Sequence, residues 1–387
     1  MIPLSNDLVT NMVQWRHHLH RFPECGFDIP LTSDFIANEL ESVGIKVIRG
    51  IGKTGMVGVL SRGQSSRSIG FRADMDALHI NEMNNFEYCS VHSGKMHACG
   101  HDGHSAMLLG AAHYIAQNLT FDGTVYFIFQ PDEEHGEGAK AMIDDGLFER
   151  FSIDEVYAIH NLPGLATGKA ITRAGPIMAS ESSFEIVLNG SGGHAALPHK
   201  GTDPLVVGAQ IVGALQNIVS RSLSAIEQTA VISVTEFITN GTVNVIPSEV
   251  ILKGDCRCFG DDTLSAIQHR MEKIVKGLCD AGEISVEFEF NNTFHSTINT
   301  AEQTGYAISA LEKVLGISNV ESDCLPLTIS EDFSSMLREK PGCYMLLGNG
   351  TDSIGGCALH NPNYDFNDEI LRLGASYYIQ LVIDRFK

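Results

Sequence analysis

The stretch Thr124-Val125-Tyr126-Phe127-Ile128-Phe129-Gln130, followed at once by Pro131-Asp132-Glu133-Glu134-His135, decides the architecture. Its apolar residues run on without alternating with polar ones, which is the pattern of a strand buried on both faces inside a helix-covered sheet. The sequence on either side agrees. Helical patterns at Asn6–Arg21, Leu31–Val43, Ser105–Asn118 and Gly138–Asp145 alternate with strand patterns at Met56–Leu60, Ile69–Asp74 and Glu155–Asn161. That alternation predicts an α/β fold.

The chain has 387 residues, more than one core of roughly 250–300 residues normally covers, so two domains are expected. The texture changes near residue 178. Strand patterns at Ser182–Asn189, Thr229–Phe237, Glu249–Phe259 and Ile284–Phe290 are interleaved with two helices. The first helix opens at Asp203-Pro204, an N-cap followed by a first-turn proline. The second, Asp261–Leu278, carries Leu264, Ile267, Met271, Ile274, Val275 and Leu278 at helical spacing. Strand–helix–strand–strand–helix–strand is the order of a ferredoxin-like α+β sandwich. From about residue 292 the α/β texture returns, with a strand at Tyr344–Gly348 and a closing helix at Asp368–Phe386. The expected organisation is therefore a mixed-sheet α/β domain flanked by helices, residues 1–177 and 292–387, interrupted by an inserted α+β domain, residues 178–291.

Acidic residues outnumber basic ones, 47 to 26, giving a formal charge of −21. This opposes nucleic acid, whose affinity rests on Lys and Arg neutralising phosphates, and it opposes anionic membrane surfaces. No apolar run is long enough to span a bilayer. Met1–Glu24 has no apolar core of the kind a signal peptide needs, and the 9 cysteines include no CxxC pair, so a reduced, cytoplasmic protein is expected.

Met96-His97-Ala98-Cys99-Gly100-His101-Asp102-Gly103-His104 concentrates a thiol, imidazoles and carboxylate chemistry in one short segment. Cys99 and His101 are two apart, so on extended backbone both leave from one face. Thiolate and imidazole together suit zinc and neighbouring first-row metals. Further polar residues stand at predicted strand ends: Asp74-Met75-Asp76, Asp132–His135 and His160-Asn161, with His360-Asn361-Pro362 in a late loop. Strand ends on one edge of such a sheet are where α/β folds place their sites. Cys99, His101, Glu134, His160 and His360 would together supply enough sulfur, nitrogen and oxygen ligands for two metals. Glu133 and Glu134 point opposite ways on extended backbone, so one can bind metal while the other faces a water and takes its proton.

Met96–His104, Phe129–Glu134 and Ile159-His160-Asn161 together resemble the di-metal amidohydrolase–peptidase family, in the branch of hippurate hydrolase, bacterial aminoacylases and plant hydrolases of indole-acetyl amino acids. His17–Glu24, Arg72–Leu78, Gly192–Ala196, Ser330–Phe333 and Leu359–Pro362 extend the likeness along essentially the whole chain. The resemblance implies that Cys99, His101, Glu134, His160 and His360 hold two divalent ions, among Mn, Zn, Co or Ni. It implies that Glu133 is the general base and Asp76 an orienting carboxylate. It gives the inserted domain the role of lid and homodimer contact, with His194, Asn244 and Arg257 touching substrate and His194 also catalytic, helping to hold the oxyanion. An N-acyl amino acid is then the expected substrate, hippurate or N-acetyl type, with indole-acetyl conjugates and N-acetyl-diaminopimelate as alternatives. His79, Asp132 and His135 depart from the family pattern. His97 and His104 are read as supporting groups, and the cysteines other than Cys99 as packing residues. A thiol hydrolase using Cys99 with His101 or His104, and a non-catalytic binding protein on the same fold, are the competing readings.

Overall fold

The computed structural model describes residues 2–352 and 355–387. The chain divides into two compact units. The larger comprises Met1–Ile177, Ile298–Leu325 and Asp332–Lys387, and the smaller Met178–Thr297 with Pro326–Glu331. The smaller unit thus runs a few residues beyond the boundary expected at 291, and takes back a short late segment that carries no composition change of its own.

The larger unit is built on an eight-stranded mixed sheet. Its order is Lys46–Ile51, Gly55–Arg62, Gly123–Gln130, Ser68–Asp74, Val156–Pro163, Gly342–Gly350, Ala170–Ile171, Val320–Glu321. The four strands Gly123–Gln130, Ser68–Asp74, Val156–Pro163 and Gly342–Gly350 are parallel neighbours. The outer pair Lys46–Ile51 and Gly55–Arg62 joins antiparallel. Every residue of Ser68–Asp74 and of Gly342–Gly350 is buried, as central parallel strands require. Phe71, Phe127, Phe129, Tyr157 and Met345 share one core with residues of the helices Asn6–Arg21, His101–Asn118 and Leu371–Arg385. On the alternate positions, Arg72 lies over the ring of Phe333 in the helix Phe333–Glu339. Helices therefore cover both faces, and the only way out for polar side chains is at the strand ends.

The smaller unit is a four-stranded antiparallel sheet in the order Ala230–Thr239, Glu249–Cys258, Ser180–Asn189, Ser285–Phe294. Burial alternates residue by residue along Ser180–Asn189 and Glu249–Cys258, as expected where one face is covered and the other open. Phe184, Ile186, Leu188, Val250 and Leu252 pack with Ile211 and Leu215 of the helix Pro204–Asn217 and with Ile267, Met271 and Val275 of the helix Asp261–Gly282. Asp203 caps the first of these helices, its Oδ1 accepting from the N–H groups of Leu205 and Val206 at 3.0 and 3.3 Å. Placing the last strand beside the first gives the ferredoxin-like order.

One local expectation fails in an instructive way. The helix predicted from Ser105 begins four residues earlier, at His101. Gly100 precedes it with φ +99°, so Cys99 and His101 do not lie on one extended segment. The start was hidden because a left-handed glycine replaces the usual Ser, Thr, Asp or Asn cap.

Candidate metal centre

The strands Ser68–Asp74, Gly123–Gln130 and Val156–Pro163 run in parallel, so their C-terminal ends lie on one edge of the sheet. Asp74 and Asp76, Asp132 to Glu134, and His160 with Asn161 all sit at those ends. The turn at Gly100 brings the Cys99 thiol and the His101 ring to the same place. Ligand atoms of Cys99, His101 and His160 lie within 4.8 Å of one another, as do those of Cys99, Glu134 and His360.

Each imidazole is oriented by its other nitrogen. His101 Nδ1 faces the Asp76 carbonyl oxygen at 2.8 Å, and His160 Nδ1 faces the Asn161 carbonyl oxygen at 2.7 Å. Both therefore donate from Nδ1 and aim Nε2 inward, the orientation that metal-ligating histidines adopt. His160 Nε2 is 3.4 Å from Cys99 Sγ. His101 Nε2 and Glu134 Oε1 are buried without a hydrogen-bond partner among the described residues, and they stand 3.8 Å apart. Glu134 Oε2 is 3.4 Å from His360 Nε2. Buried polar atoms left unmade cost about 1–3 kcal/mol each. Orphans that face one another across a space lined by sulfur, nitrogen and oxygen fit a cation.

Electrostatics point the same way. Burial opposes a charge on His101, yet Asp74, Asp76 and Glu134 outweigh it and raise its pKa to about 10. Burial pushes the Glu134 carboxyl up to about 7, against the pull of His101. Burial and the nearby His104 hold His160 neutral. The surroundings thus favour positive charge at the centre while keeping an imidazole free to donate electrons.

Asp76 does more than its sequence position discloses. Its two oxygens accept the backbone N–H groups of Glu133 and Glu134 at 3.0 and 3.2 Å. The pair lies in a turn rather than on extended backbone, so the two carboxylates do not point opposite ways as expected but both approach His101 Nε2, at 3.9 and 3.8 Å. Glu133 is buried, its Oε2 3.9 Å from His101 Nε2. Asp132 and His360 both adopt left-handed backbone, at φ +51° and +62°. Such strain concentrates at functional sites.

His104 is fully committed, its Nδ1 2.7 Å from Asp74 Oδ1 and its Nε2 2.8 Å from Asn161 Oδ1. Both nitrogens of His104 are thus engaged away from the Cys99 thiol, which has the His160 imidazole as a neighbour. Asp74 also accepts from Arg72 Nη1 at 2.6 Å, and Gln130 and Arg72 meet Asp332. These residues build the floor under the ligands. Asn161, noted beside His160 in the sequence, is joined at 2.7 Å to Tyr364, which was not singled out. A Tyr in a loop carries no spacing signal.

The three remaining candidates lie in the smaller unit. His194 pairs with Val245 across the ladder Gly193–His194 and Val245–Ile246, and Asn244 accepts the Ala195 N–H at 3.0 Å through its carbonyl. The side chains of His194 and Asn244 are exposed. Arg257 is occupied: Nε meets Asp255 at 3.0 Å, and Nη1 meets Glu181 at 2.8 Å and Ser330 at 2.9 Å. His79 and His135 are exposed and Asp132 buried, with His135 Nδ1 2.6 Å from Asp132 Oδ1.

An α/β sheet edge gathering thiol, imidazole and carboxylate ligands beside a second carboxylate defines a metal-dependent hydrolase of amide bonds. The chain belongs to peptidase family M20/M25/M40, whose profile matches residues 70–384. The hippurate hydrolase of Campylobacter jejuni is 39% identical over 387 residues, covering 100% of both chains. The N-acyl-L-amino acid amidohydrolase of Geobacillus stearothermophilus is 40% identical over 77% of this chain and 80% of its own. Among solved structures, a Bacillus subtilis protein described as a dinuclear metal binding peptidase of the M20 family superposes with a TM-score of 0.86 at 28% identity, covering 99% of each chain.

Proposed function

We propose that the protein hydrolyses N-acyl amino acids, of the hippurate or N-acetyl type, to a carboxylate and a free amino acid. The observation that carries this reading is the convergence of Cys99, His101, Glu134, His160 and His360, with orphaned His101 Nε2 and Glu134 Oε1 facing inward beside Glu133. Those five residues would hold two divalent ions, and the mixed sulfur, nitrogen and oxygen set suits Zn, Mn, Co or Ni. Bound there, the ions would supply Lewis acidity to the attacking water and to the scissile carbonyl. Glu133 takes the proton from that water and returns it to the departing amine. Asp76 holds Glu133 and Glu134 in place by gripping their backbone N–H groups. The relative from Campylobacter jejuni, matched end to end, supports the benzoylglycine type of substrate. Indole-acetyl amino acids and N-acetyl-diaminopimelate are the alternatives that a substrate panel separates.

In the inserted domain, His194 and Asn244 contact substrate, and Arg257 is the carboxylate clamp. A homodimer forms through the same domain. Support comes from its edge strand Ala230–Thr239, ten residues long, which leaves one row of backbone groups unpaired and exposes Val231, Phe237 and Ile238. No helix among the described residues is long and apolar enough to cross a membrane, and the cysteines are all free thiols, which supports a reducing, cytoplasmic setting.

The test is direct. Purified protein is stripped with a chelator, reloaded with Zn²⁺, Mn²⁺ or Co²⁺, and assayed for amine release from hippurate, N-acetyl and indole-acetyl amino acids. Turnover should vanish on stripping and return on reloading. Full turnover by protein verified as metal-free would end the proposal.

A further inference from the structure

We propose that Arg16 is a positioning residue for the metal centre, tying the segment that carries His101 to the segment that carries His360. The inference rests on the metal reading above. Arg16 lies on the helix Asn6–Arg21, and its side chain is 0% exposed. Its guanidinium meets three carboxylates: Asp102 at 3.4 Å, Asp365 at 3.0 Å and Asp368 at 2.5 Å. Asp102 directly follows His101 in the first turn of its helix. Asp365 and Asp368 follow the loop of His360. One cation thus joins two ligand-bearing stretches that are far apart in sequence and share no strand.

The surroundings make this a built device rather than a stray ion pair. His20, one turn along the same helix, places Nδ1 2.9 Å from Asp102 Oδ2 and Nε2 3.1 Å from Glu82 Oε1. Tyr88 donates to Asp365 Oδ2 at 2.7 Å, and the Arg16 guanidinium lies 4.6 Å above its ring. Asn84 donates to Glu82 at 3.0 Å and to the Tyr364 carbonyl at 2.9 Å. Tyr364 in turn accepts from Asn161, the neighbour of His160, at 2.7 Å. The network therefore reaches residues adjacent in sequence to His101 and His160, and the segment after His360.

Buried charge is an expensive way to fill space, and apolar residues of similar volume commonly do it at lower cost. What a planar guanidinium offers instead is fixed geometry towards several carboxylates at once, which an ammonium cannot supply. Metal sites need their ligands held within about 0.5 Å of the productive arrangement. Arg16 provides that tolerance from behind.

The experiment compares zinc binding by wild type, Arg16→Lys, Asp365→Asn and Arg385→Gln, using competition with a chromophoric chelator. Arg385→Gln breaks a pair with Glu155, 2.6 Å long and outside the network, and serves as the stability control. Arg16→Lys and Asp365→Asn should weaken zinc binding about 10–100-fold, with kcat at saturating zinc within about twofold of wild type. Arg385→Gln should lower the melting temperature and leave zinc affinity where it was. Unchanged affinity in both network variants overturns the proposal. So does an equal loss in Arg385→Gln, or a fall in kcat without a change in affinity. A wild-type protein that binds no zinc would instead sink the metal reading itself.

Discussion

The larger unit presents most of its candidate site residues buried and held from behind, with His360 the exposed exception; the smaller unit presents its own exposed or already engaged. His101 and His160 each have one nitrogen pinned by a backbone carbonyl, and Asp76 grips two N–H groups of the glutamate pair. By contrast, His194 stands in solvent on a two-residue ladder and Asn244 just before the partner strand, and Arg257 is neutralised by Asp255 and Glu181. Preorganised groups act in the transition state, whereas exposed ones on short elements contribute chiefly to binding. The division of labour between bond breaking and substrate holding is therefore expected to follow the division of the chain.

The sharpest way to break that comparison is Glu133→Gln. It should lower kcat by about 10²–10⁴-fold, the usual worth of a general base, while zinc content measured on the purified variant stays at the wild-type level. Next in size is Gly100→Ala. Gly100 sits at φ +99°, and a Cβ there would run into the Asn161 amide and the Tyr364 hydroxyl. Strain of this kind costs about 1–3 kcal/mol, so the variant should melt at lower temperature and lose affinity for zinc; wild-type values for both would remove the steric argument. Arg257→Ala should be milder, raising KM about tenfold with kcat changed less. A loss of kcat as large as that of Glu133→Gln would erase the contrast between the units.

The smallest effect concerns pH and the network behind the centre. Burial works against a charge on His20, but Asp102 and Glu82 overcome it and raise its pKa to about 9. A group raised above its unfolded value, about 6.5 for histidine, stabilises fully below that value. The contribution is lost as pH climbs through the folded value. Melting temperature should therefore decline between about pH 6.5 and 9, and His20→Gln should flatten the decline. An identical slope in wild type and variant would show that His20 does not carry it.

The two units also differ in how openly the sequence declares them. Thr124–Gln130 could be read as a central strand because burial on both faces leaves no polar residue to interrupt it. The helices of the smaller unit could be read from Asp203-Pro204 and from the spacing of Leu264, Ile267 and Met271. Ala170–Ile171 and Val320–Glu321 were invisible because two residues carry no period. The start of the helix at His101 was hidden by its glycine cap. At the site, the candidate ligand types could be picked out, since thiol, imidazole and paired carboxylates recur at predicted strand ends. What held them did not: Asp76 works through backbone groups of residues distant in sequence, and Arg16 through carboxylates from opposite ends of the chain. Such pairings exist only once the fold has formed.

The strand Gly342–Gly350 lies inside the sheet, paired with Val156–Pro163, although the whole smaller unit is translated between the two. At ribosomal speeds of about 5–20 residues per second, the nascent polypeptide spends many seconds with Cys99, His101, Glu134 and His160 made but His360 not yet translated. The proposed five-residue set is incomplete throughout that interval. On that reading, the second binding position closes only when the loop of His360 joins the fold.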